Sequence, residues 1–220
     1  MVISHQHRFI FIKTYKTAGT SIEVFLSQRC DPHDVFTPII PPVESHVARN
    51  HEGFYNHIPA SQVQEKVPRE VWDGYFKFCV ERNPWDKTLS HYHMMKYRSG
   101  GALTFDEYLA TGDLPVSHPL YTDATGSRII VDRVLRYERL MQDLGAVFGL
   151  LGVPFEGSLH VNAKGEYRTD RRPYHEVYTE AQRWRVEQVF AWEIRTHGYR
   201  FEETPPLRPS AEPADGLRRC

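Results

Sequence analysis

The sequence predicts an α/β fold in which a mainly parallel central sheet is flanked by helices. Short apolar runs that are typical of buried strands alternate with amphipathic runs that are typical of helices along the 220 residues. The strand-like runs at residues 9–13 and 75–80 each end in a polar turn that leads directly into a helical pattern. This alternation is the pattern of a parallel sheet that carries helices on both faces.

Local signals set the bounds of each element. Strands are predicted over residues 9–13, 75–80 and 133–137. Helices are predicted over residues 20–28, 61–67, from Pro84 onward, 104–110, 138–151 and 179–196. Ser61 and Thr104 are typical helix caps, and Pro84 suits a first helical turn. Gly152 and Gly198 are expected to end the helices that precede them.

Residues 31–57 are rich in proline and histidine and lack a clear period, which favours an irregular excursion with at most one short strand. Residues 1–203 are interpreted as a single domain of ordinary size. Residues 204–220 carry four prolines and are expected to be disordered.

Composition excludes several classes of protein. The net charge is −1 with the histidines neutral, so a broad basic surface for nucleic acid is not expected and any anion site must be local. No secretory signal and no apolar run of about 20 residues occurs, so no membrane association is predicted. The three widely spaced cysteines fit a reducing compartment, and the predicted location is cytoplasmic.

The stretch "FIFIKTYKTAGTSIEVFL" places a loop with Gly19 between a strand and a helix. Free backbone N–H groups and a helix N-terminus at one point form an anion site. Lys16 adds a positive charge, and Thr17, Thr20 and Ser21 add hydroxyl groups. Lys13 flanks the loop and is expected on its solvent side. A plain strand-to-helix turn is the alternative, and the nucleotide-triphosphate motif G-x-x-x-x-G-K-[ST] does not match.

The stretch "FKFCVERNPWDKTLSHY" repeats this arrangement, with Arg82 at a strand end and Ser90 two turns into the next helix. The carboxyl ends of parallel strands share one edge of a sheet, so Arg82 is expected near the Lys16 loop. Arginine binds phosphate with a bidentate fork. The two sites together suit a ligand with two anionic ends, while a salt bridge between Arg82 and Glu81 is the alternative.

The segments "KTYKTAGTS" and "RNPWDKTLS" together resemble the phosphosulfate loop and the 3′-phosphate segment of sulfotransferases. The branch most similar is that of the carbohydrate and heparan sulfate O-sulfotransferases, of the sulfotransferase family 2 type. The likeness continues through "VDRVLRYERLMQDLGAVFGLLGVP", "HVNAKGEY" and "YTEAQRWRVEQVFAWEIRTHGYRF", from about residue 8 to about residue 202. It implies a P-loop-like three-layer fold and an O-sulfotransferase that uses 3′-phosphoadenosine-5′-phosphosulfate (PAPS) and releases PAP. The acceptor would be a carbohydrate or another small-molecule alcohol.

The resemblance also implies roles for single residues. Lys16 would neutralise the charge on the bridging oxygen as the S–O bond breaks. The residues that would wrap the 5′-phosphosulfate are Thr17, Ala18, Gly19, Thr20 and Ser21. Arg82 and Ser90 would hold the 3′-phosphate. The late loop would close over the nucleotide, with Lys164 and Gly165 on the 3′-phosphate side and with Arg168 and Arg172 meeting either the nucleotide or an anionic acceptor. A solvated charged face is the alternative, and the role of Arg171 stays open. No metal is expected, because metal-ligand spacings such as C-x₂-C and H-E-x-x-H are absent from the sequence.

An acceptor hydroxyl needs a base, and His57 in "GFYNHIPASQVQEKV" matches the family histidine that precedes the second strand. A neutral imidazole near pH 7 can accept the hydroxyl proton. His46 and His51 are the next candidates, followed by Glu44 and Glu52.

Two residues depart from the family pattern. Tyr15 stands where proline is common, and Glu81 stands where an apolar residue is common. Neighbours on a strand point to opposite faces, so Glu81 is expected to point away from the anion site. A small-molecule kinase and a non-catalytic nucleotide-binding module remain alternative functions. The identity of the acceptor stays open, and the long excursion and the last helix are elements that a homodimer could use.

Overall fold

The structure is a computed structural model, and it describes residues 1–160, 167, 170 and 172–202. The predicted disordered tail at 204–220 lies outside the described residues. So do Lys164, Gly165, Arg168 and Arg171.

A five-stranded sheet runs through the described part of the chain, in the order β3-β1-β2-β4-β5. Its strands are β1 Val2–Ser4, β2 Phe9–Ile12, β3 Val35–Phe36, β4 Phe76–Glu81 and β5 Arg133–Arg136. β2, β4 and β5 pair in parallel, whereas β1 is antiparallel to both β2 and β3. Four of these strands therefore run the same way, which confirms the mainly parallel sheet. β1 was not predicted, because residues 1–8 are polar apart from a three-residue apolar run.

Helices flank this sheet. They are α1 Gly19–Ser27, α2 Ala60–Lys66, α3 Arg69–Gly74, α4 Pro84–Arg98, α5 Phe105–Thr111, α6 Leu140–Leu151, α7 Glu180–Val189 and α8 Ala191–His197. Three of the predicted details are wrong: α3 was missed, Pro59 rather than Ser61 precedes α2, and the last helix is divided at Phe190. The ends at Gly152 and Gly198 are confirmed, since both adopt left-handed backbone angles.

The two faces of the sheet are covered by different helices because side chains alternate along each strand. Phe11 and Phe78 pack with Phe25 of α1 and Phe148 of α6. Ile10, Ile12 and Cys79 lie on the opposite face with residues of α2 and α3, and α4, α5 and α7 share a third apolar cluster. The predicted three-layer arrangement is confirmed.

The carboxyl ends of β2 and β4 lie side by side, because Ile12 pairs with Cys79 in parallel register. The segments that follow these strands, 13–18 and 82–83, therefore begin at one edge of the sheet. None of the helices in the described ranges is long and apolar enough to cross a membrane.

Candidate functional site

The loop between β2 and α1 has the backbone of an anion-binding turn. Lys16 and Ala18 both have positive φ angles, 57° and 61°, and Ala18 immediately precedes α1. The N–H groups of a first helical turn have no intrahelical acceptor, and no side chain caps this helix. These donors therefore face the space in front of α1, as the sequence predicted.

Lys13 lies beneath this loop, and the expectation that it faces solvent was wrong. Its side chain is almost fully buried, and its Nζ lies 2.5 Å from Oε2 of Glu23, which the terminal ammonium of Met1 also contacts. A buried ammonium requires such a partner, because burial without one is very costly. The stem of Lys13 passes over Gly19, where a Cβ atom would stand 2.7 Å from Cγ of the lysine.

The hydroxyl groups of the loop do not all face the same way. Oγ1 of Thr17 lies 2.8 Å from Oγ1 of Thr14 and 3.2 Å from the Thr14 carbonyl oxygen. The Thr14 hydroxyl in turn donates to the carbonyl of Val80 at the end of β4. The Thr17 hydroxyl therefore stabilises the loop, and what Thr17 offers to a ligand is its backbone N–H. Thr20 and Ser21 lie in the first turn of α1 and are nearly buried.

Arg82 joins the two predicted motifs. Its Nη1 donates to the backbone carbonyl of Lys16 at 2.9 Å, while Nε and Nη2 donate to Oδ2 of Asp86 at 2.9 and 2.7 Å. The guanidinium also stacks on the ring of Tyr137, with 4.1 Å between its central carbon and the ring centroid. Burial alone would lower the pKa of Arg82, but the charge of Asp86 and its hydrogen bonds, together with Tyr137 and Glu138, raise it.

Glu81 points away from this site, as the alternation along a strand predicted. Its Oε1 accepts from Nζ of Lys87 at 2.5 Å, and its Oε2 accepts from the Tyr121 hydroxyl at 3.0 Å. The Glu81 carboxylate is therefore neutralised by Lys87 on the opposite face of the strand. The salt bridge between the Arg82 and Glu81 side chains, which the sequence left as the alternative, is not formed.

One face of α4 lines the space beside the loop. Asp86, Ser90 and Met94 recur at intervals of four residues, so they lie on the same side of the helix. Nζ of Lys16 lies 3.7 Å from Sδ of Met94 and 5.8 Å from the ring centroid of Tyr167. Lys16, Arg82 and half-buried Ser90 therefore border the same region. Whether they bind a nucleotide stays a prediction.

His57 is held in a defined orientation next to the loop. Its Nδ1 lies 3.0 Å from the backbone carbonyl of Lys13, and its ring packs against that of Tyr15 in a tilted arrangement with 4.5 Å between centroids. A carbonyl only accepts, so Nδ1 carries the proton and Nε2 is the basic nitrogen. Burial, together with the nearby charge of Lys13, lowers the pKa of His57 to about 4. The imidazole is therefore neutral at pH 7.

The other candidate bases are placed differently. His46 also lies near the end of β3, where its Nε2 is 2.9 Å from the carbonyl of Thr37 and burial lowers its pKa. That contact makes Nε2 the protonated nitrogen, and the remaining nitrogen, Nδ1, is enclosed. Glu44 and Glu52 are exposed and His51 is half-buried. His46 thus shares with His57 a carbonyl contact and a tilted ring contact, in its case with Phe36, but its remaining nitrogen is enclosed.

His91 is a polar group near the loop that the sequence did not single out. It lies on α4 next to Ser90, and its Nδ1 is 2.8 Å from the hydroxyl of Tyr108. Burial and the charge of Lys16 lower its pKa to about 4.

A cleft of about 720 Å³ lies between α2 and the segment 118–126. Ser61 and Gln62 line one wall, and His118 and Thr125 line the other. Lys16, His57, Arg82 and Ser90 are not among the residues that line it. Its volume falls in the range of small-molecule pockets.

Three of the predicted late-loop residues, Lys164, Gly165 and Arg168, lie outside the described residues, as does Arg171. Arg172 is described, and it is paired with Asp170 at 2.7 Å. No group of three or more potential metal ligands occurs within the described ranges.

Comparison with known proteins places the chain among relatives. No model of a known protein family matches it. An uncharacterized protein of Archaeoglobus fulgidus is 31% identical over 113 residues, which cover 50% of this chain and 94% of the archaeal one. The chain belongs to the family of that archaeal protein.

The fold of this family member is also found in a solved structure. Mouse sulfotransferase SULT7A1 complexed with PAP superimposes with a TM-score of 0.52 at 15% sequence identity. The match covers 89% of this chain and 87% of the mouse chain. The chain therefore has the P-loop-like α/β fold of a sulfotransferase.

Proposed function

We propose that the protein transfers the sulfuryl group of PAPS to a hydroxyl group of a carbohydrate or another small-molecule alcohol. The observation that carries this proposal is the hydrogen bond between Arg82 and the Lys16 carbonyl at 2.9 Å, which brings two phosphate-type motifs to one edge of the sheet. A mouse sulfotransferase with the same fold was crystallised with PAP, the product of such a donor.

The chemistry of the described residues fits this donor. The uncapped N-terminus of α1 and the ammonium of Lys16 suit the 5′-phosphosulfate. Arg82 and Ser90 suit the 3′-phosphate. Three of the five guanidinium N–H groups of Arg82 are used by Asp86 and Lys16, which leaves two for a ligand. Asp86 and Tyr137 hold the guanidinium in place, so less freedom is lost on binding.

The proposed mechanism is a direct transfer of the sulfuryl group from PAPS to the acceptor, assisted by Lys16 and His57. Bound PAPS supplies the sulfuryl group. Nε2 of His57 accepts the proton of the acceptor hydroxyl, because Nδ1 is committed to the Lys13 carbonyl. The acceptor oxygen forms the new O–S bond as the bond from sulfur to the bridging oxygen breaks. Lys16 stabilises the charge that develops on the leaving oxygen, a contribution of roughly 3 kcal/mol for one such donor.

The first test is calorimetric titration of the protein with PAP in the absence of metal, compared with ATP and magnesium. Binding of PAP is expected, and binding of ATP with magnesium alone would favour a kinase instead. Arg82→Lys is expected to weaken PAP binding because it removes the fork. The matched control is Arg69→Lys, since Arg69 and Asp73 form the same i,i+4 pair on an exposed helix face.

The second test is transfer from PAPS to a panel of sugars, aliphatic alcohols and phenols. Lys16→Ala is expected to lower kcat by about 10²- to 10³-fold. His57→Ala is expected to lower kcat by about 10²- to 10⁴-fold while PAP still binds. Arg185→Ala, at an exposed position on α7, is the control. Full turnover in His57→Ala would assign the proton transfer to another group.

A further inference from the structure

The buried carboxylate of Glu193 on α8 binds the backbone of Ser117 and His118. These residues lie next to the loop between β2 and α1, residues 13–18, which is called the donor loop below. Glu193 is completely buried, and its Oε1 accepts from the backbone N–H groups of Ser117 and His118 at 3.2 and 3.4 Å. Nδ1 of His118 lies 3.3 Å from the same oxygen, and the neighbouring Trp192 stacks on the His118 ring at 4.8 Å. Two successive side chains of α8 therefore fix the turn at residues 117–118.

Burial of the Glu193 carboxylate costs free energy. Its second oxygen, Oε2, is buried and has no hydrogen-bond partner among the described residues. Buried carboxylate oxygens without partners are rare, because no hydrogen bond offsets the free-energy cost of removing them from water. Such a group is expected to be kept for a purpose other than stability.

Ser117 passes this constraint to the donor loop. Its side chain is completely buried, and its Oγ donates to the Pro115 carbonyl at 3.4 Å. The same Oγ accepts the backbone N–H of Tyr15 at 3.3 Å. Tyr15 is the residue directly before Lys16, so the hydroxyl holds the loop close to this lysine.

Tyr15 in turn contacts the proposed base. Its ring lies against the His57 imidazole, with an interplanar angle of 31°. His57 has a positive φ of 60°, a conformation that side chains other than glycine adopt only when their surroundings enforce it. The imidazole is therefore fixed by the Tyr15 ring and by the Lys13 carbonyl.

We propose that Ser117 and Glu193 are positioning residues for His57, which they reach through Tyr15. This inference rests on the proposed function, because it concerns the same base. Glu193 lies 76 residues after Ser117 in sequence, so only the tertiary structure reveals this contact. Helix α8 thereby sets the orientation of His57, which belongs to the segment before β4.

The test compares Ser117→Ala, Tyr15→Leu and the double variant. Ser117→Ala removes the acceptor of the Tyr15 N–H, and Tyr15→Leu removes the ring that packs against His57. Each single variant is expected to lower kcat by roughly tenfold or more with little change in the KM for PAPS, since misplacement of a reacting group mainly affects turnover. The double variant is expected to lose little more than either single one, because both act through one path.

A second readout works without substrate. In the wild type, ¹⁵N NMR of the imidazoles is expected to show His57 in one tautomer, with the proton on Nδ1. Ser117→Ala and Tyr15→Leu are expected to give a mixture of tautomers. Tyr15→Phe keeps the ring and is expected to retain more of the single tautomer than Tyr15→Leu does.

The controls separate positioning from general stability. Thr122→Val removes another buried hydroxyl that contacts the same segment, where it donates to the His118 carbonyl at 2.8 Å. It is expected to lower the melting temperature without changing the His57 tautomer. Glu193→Met is expected to resemble Ser117→Ala, and where it does not fold, the Ser117 and Tyr15 variants carry the test.

Two outcomes would overturn the inference: an unchanged His57 tautomer in Ser117→Ala, or fully additive losses of kcat in the double variant. The proposed function fails on a different result, namely the absence of PAP binding by the wild type. The tautomer measurement still tests the positioning of His57 in that case.

Discussion

Gly19 is the residue at which the donor loop has the least room, because the buried stem of Lys13 crosses the place of a Cβ atom. A Cβ at this position would stand 2.7 Å from Cγ and 3.3 Å from Cε of Lys13, and the Lys13–Glu23 pair prevents the stem from moving away. Gly19→Ala is expected to lower the free energy of unfolding by about 1–3 kcal/mol. Urea denaturation measures the change, and PAP affinity is expected to fall with it.

Gly149 provides the matched control. It lies in α6, is exposed, and has no atom within 4 Å of a built Cβ. Gly149→Ala is expected to raise the free energy of unfolding by about 0.5–1 kcal/mol, since alanine favours helix. Equal effects of the two substitutions would mean that Lys13 does not restrict Gly19.

His57 and His91 make the stability of the fold depend on pH. Burial lowers the pKa of each to about 4, below the ordinary value of about 6.5 that applies in the unfolded chain. Between these values the unfolded state binds more protons, so the free energy of unfolding falls as the pH falls from about 6.5 to about 4. The slope is at most about 1.4 kcal/mol per pH unit for each histidine.

Urea denaturation at pH 7.0 and pH 5.0 measures this dependence. His91→Gln is expected to reduce the difference between the two pH values, because one buried imidazole no longer titrates. His33→Gln is the control, since His33 is exposed beside Asp31. The interpretation is contradicted by a pH dependence that His91→Gln leaves unchanged.

Single residues of the site were predictable to the extent that their chemistry depends on type alone. Lys16 carries its charge three residues before Gly19, and Arg82 carries its charge at the end of a predicted strand; both features are visible in the sequence. The inward direction of the Thr17 hydroxyl and the burial of Lys13 were not predictable. Both follow from partners on other elements, Val80 through Thr14 in one case and Glu23 in the other.

At the scale of elements, Asn83 connects the start of α4 to the rest of the molecule. Its side-chain oxygen accepts from the N–H groups of Trp85 and Asp86 at 3.1 and 3.4 Å, and its side-chain nitrogen donates to the Tyr174 hydroxyl at 3.2 Å. Asn83→Ala is expected to lower the free energy of unfolding by about 1–2 kcal/mol. It is also expected to weaken PAP binding, because Asp86 orients Arg82.

Thr104 is the comparison for this prediction. It caps α5 with a full capping box, far along the chain from Arg82. Thr104→Ala is expected to lower the free energy of unfolding by about 1 kcal/mol and to leave PAP affinity unchanged. Calorimetry with PAP on both variants distinguishes a cap that supports the site from one that supports only its helix.

Most elements were predictable because their signals are local. The box at Thr104, the proline at the start of α4 and the glycines that end α6 and α8 all act within a few residues. The division between α7 and α8 was not predictable. Phe190, at the division, has backbone angles of φ −100° and ψ 21°, and its side chain is completely buried in the third apolar cluster.

At the scale of the whole molecule, a buried ion pair joins the sheet to α4. Lys87 and Glu81 are both almost completely buried, with 2.5 Å between Nζ and Oε1. Lys87→Met is expected to lower the free energy of unfolding by about 3–5 kcal/mol, because the carboxylate would be left without its charged partner. Urea denaturation at pH 7 measures the loss.

The exposed pair of Arg69 and Asp73 is the control for this loss. Arg69→Ala is expected to change the free energy of unfolding by less than about 0.5 kcal/mol, since exposed ion pairs contribute little. Comparable losses in the two variants would show that burial is not what makes the Lys87–Glu81 pair important.

The sequence by itself determined the class of fold, the order of most elements and the two polar turns that follow β2 and β4. These features depend on periodicity and on residue types that act over short distances. The tertiary structure alone decided which groups contact one another: Arg82 with the Lys16 carbonyl, the His57 ring with the Tyr15 ring, and Glu193 with the backbone N–H of Ser117. Each of these contacts joins segments that are distant in sequence. They exist only because packing of the sheet and helices brings the segments together.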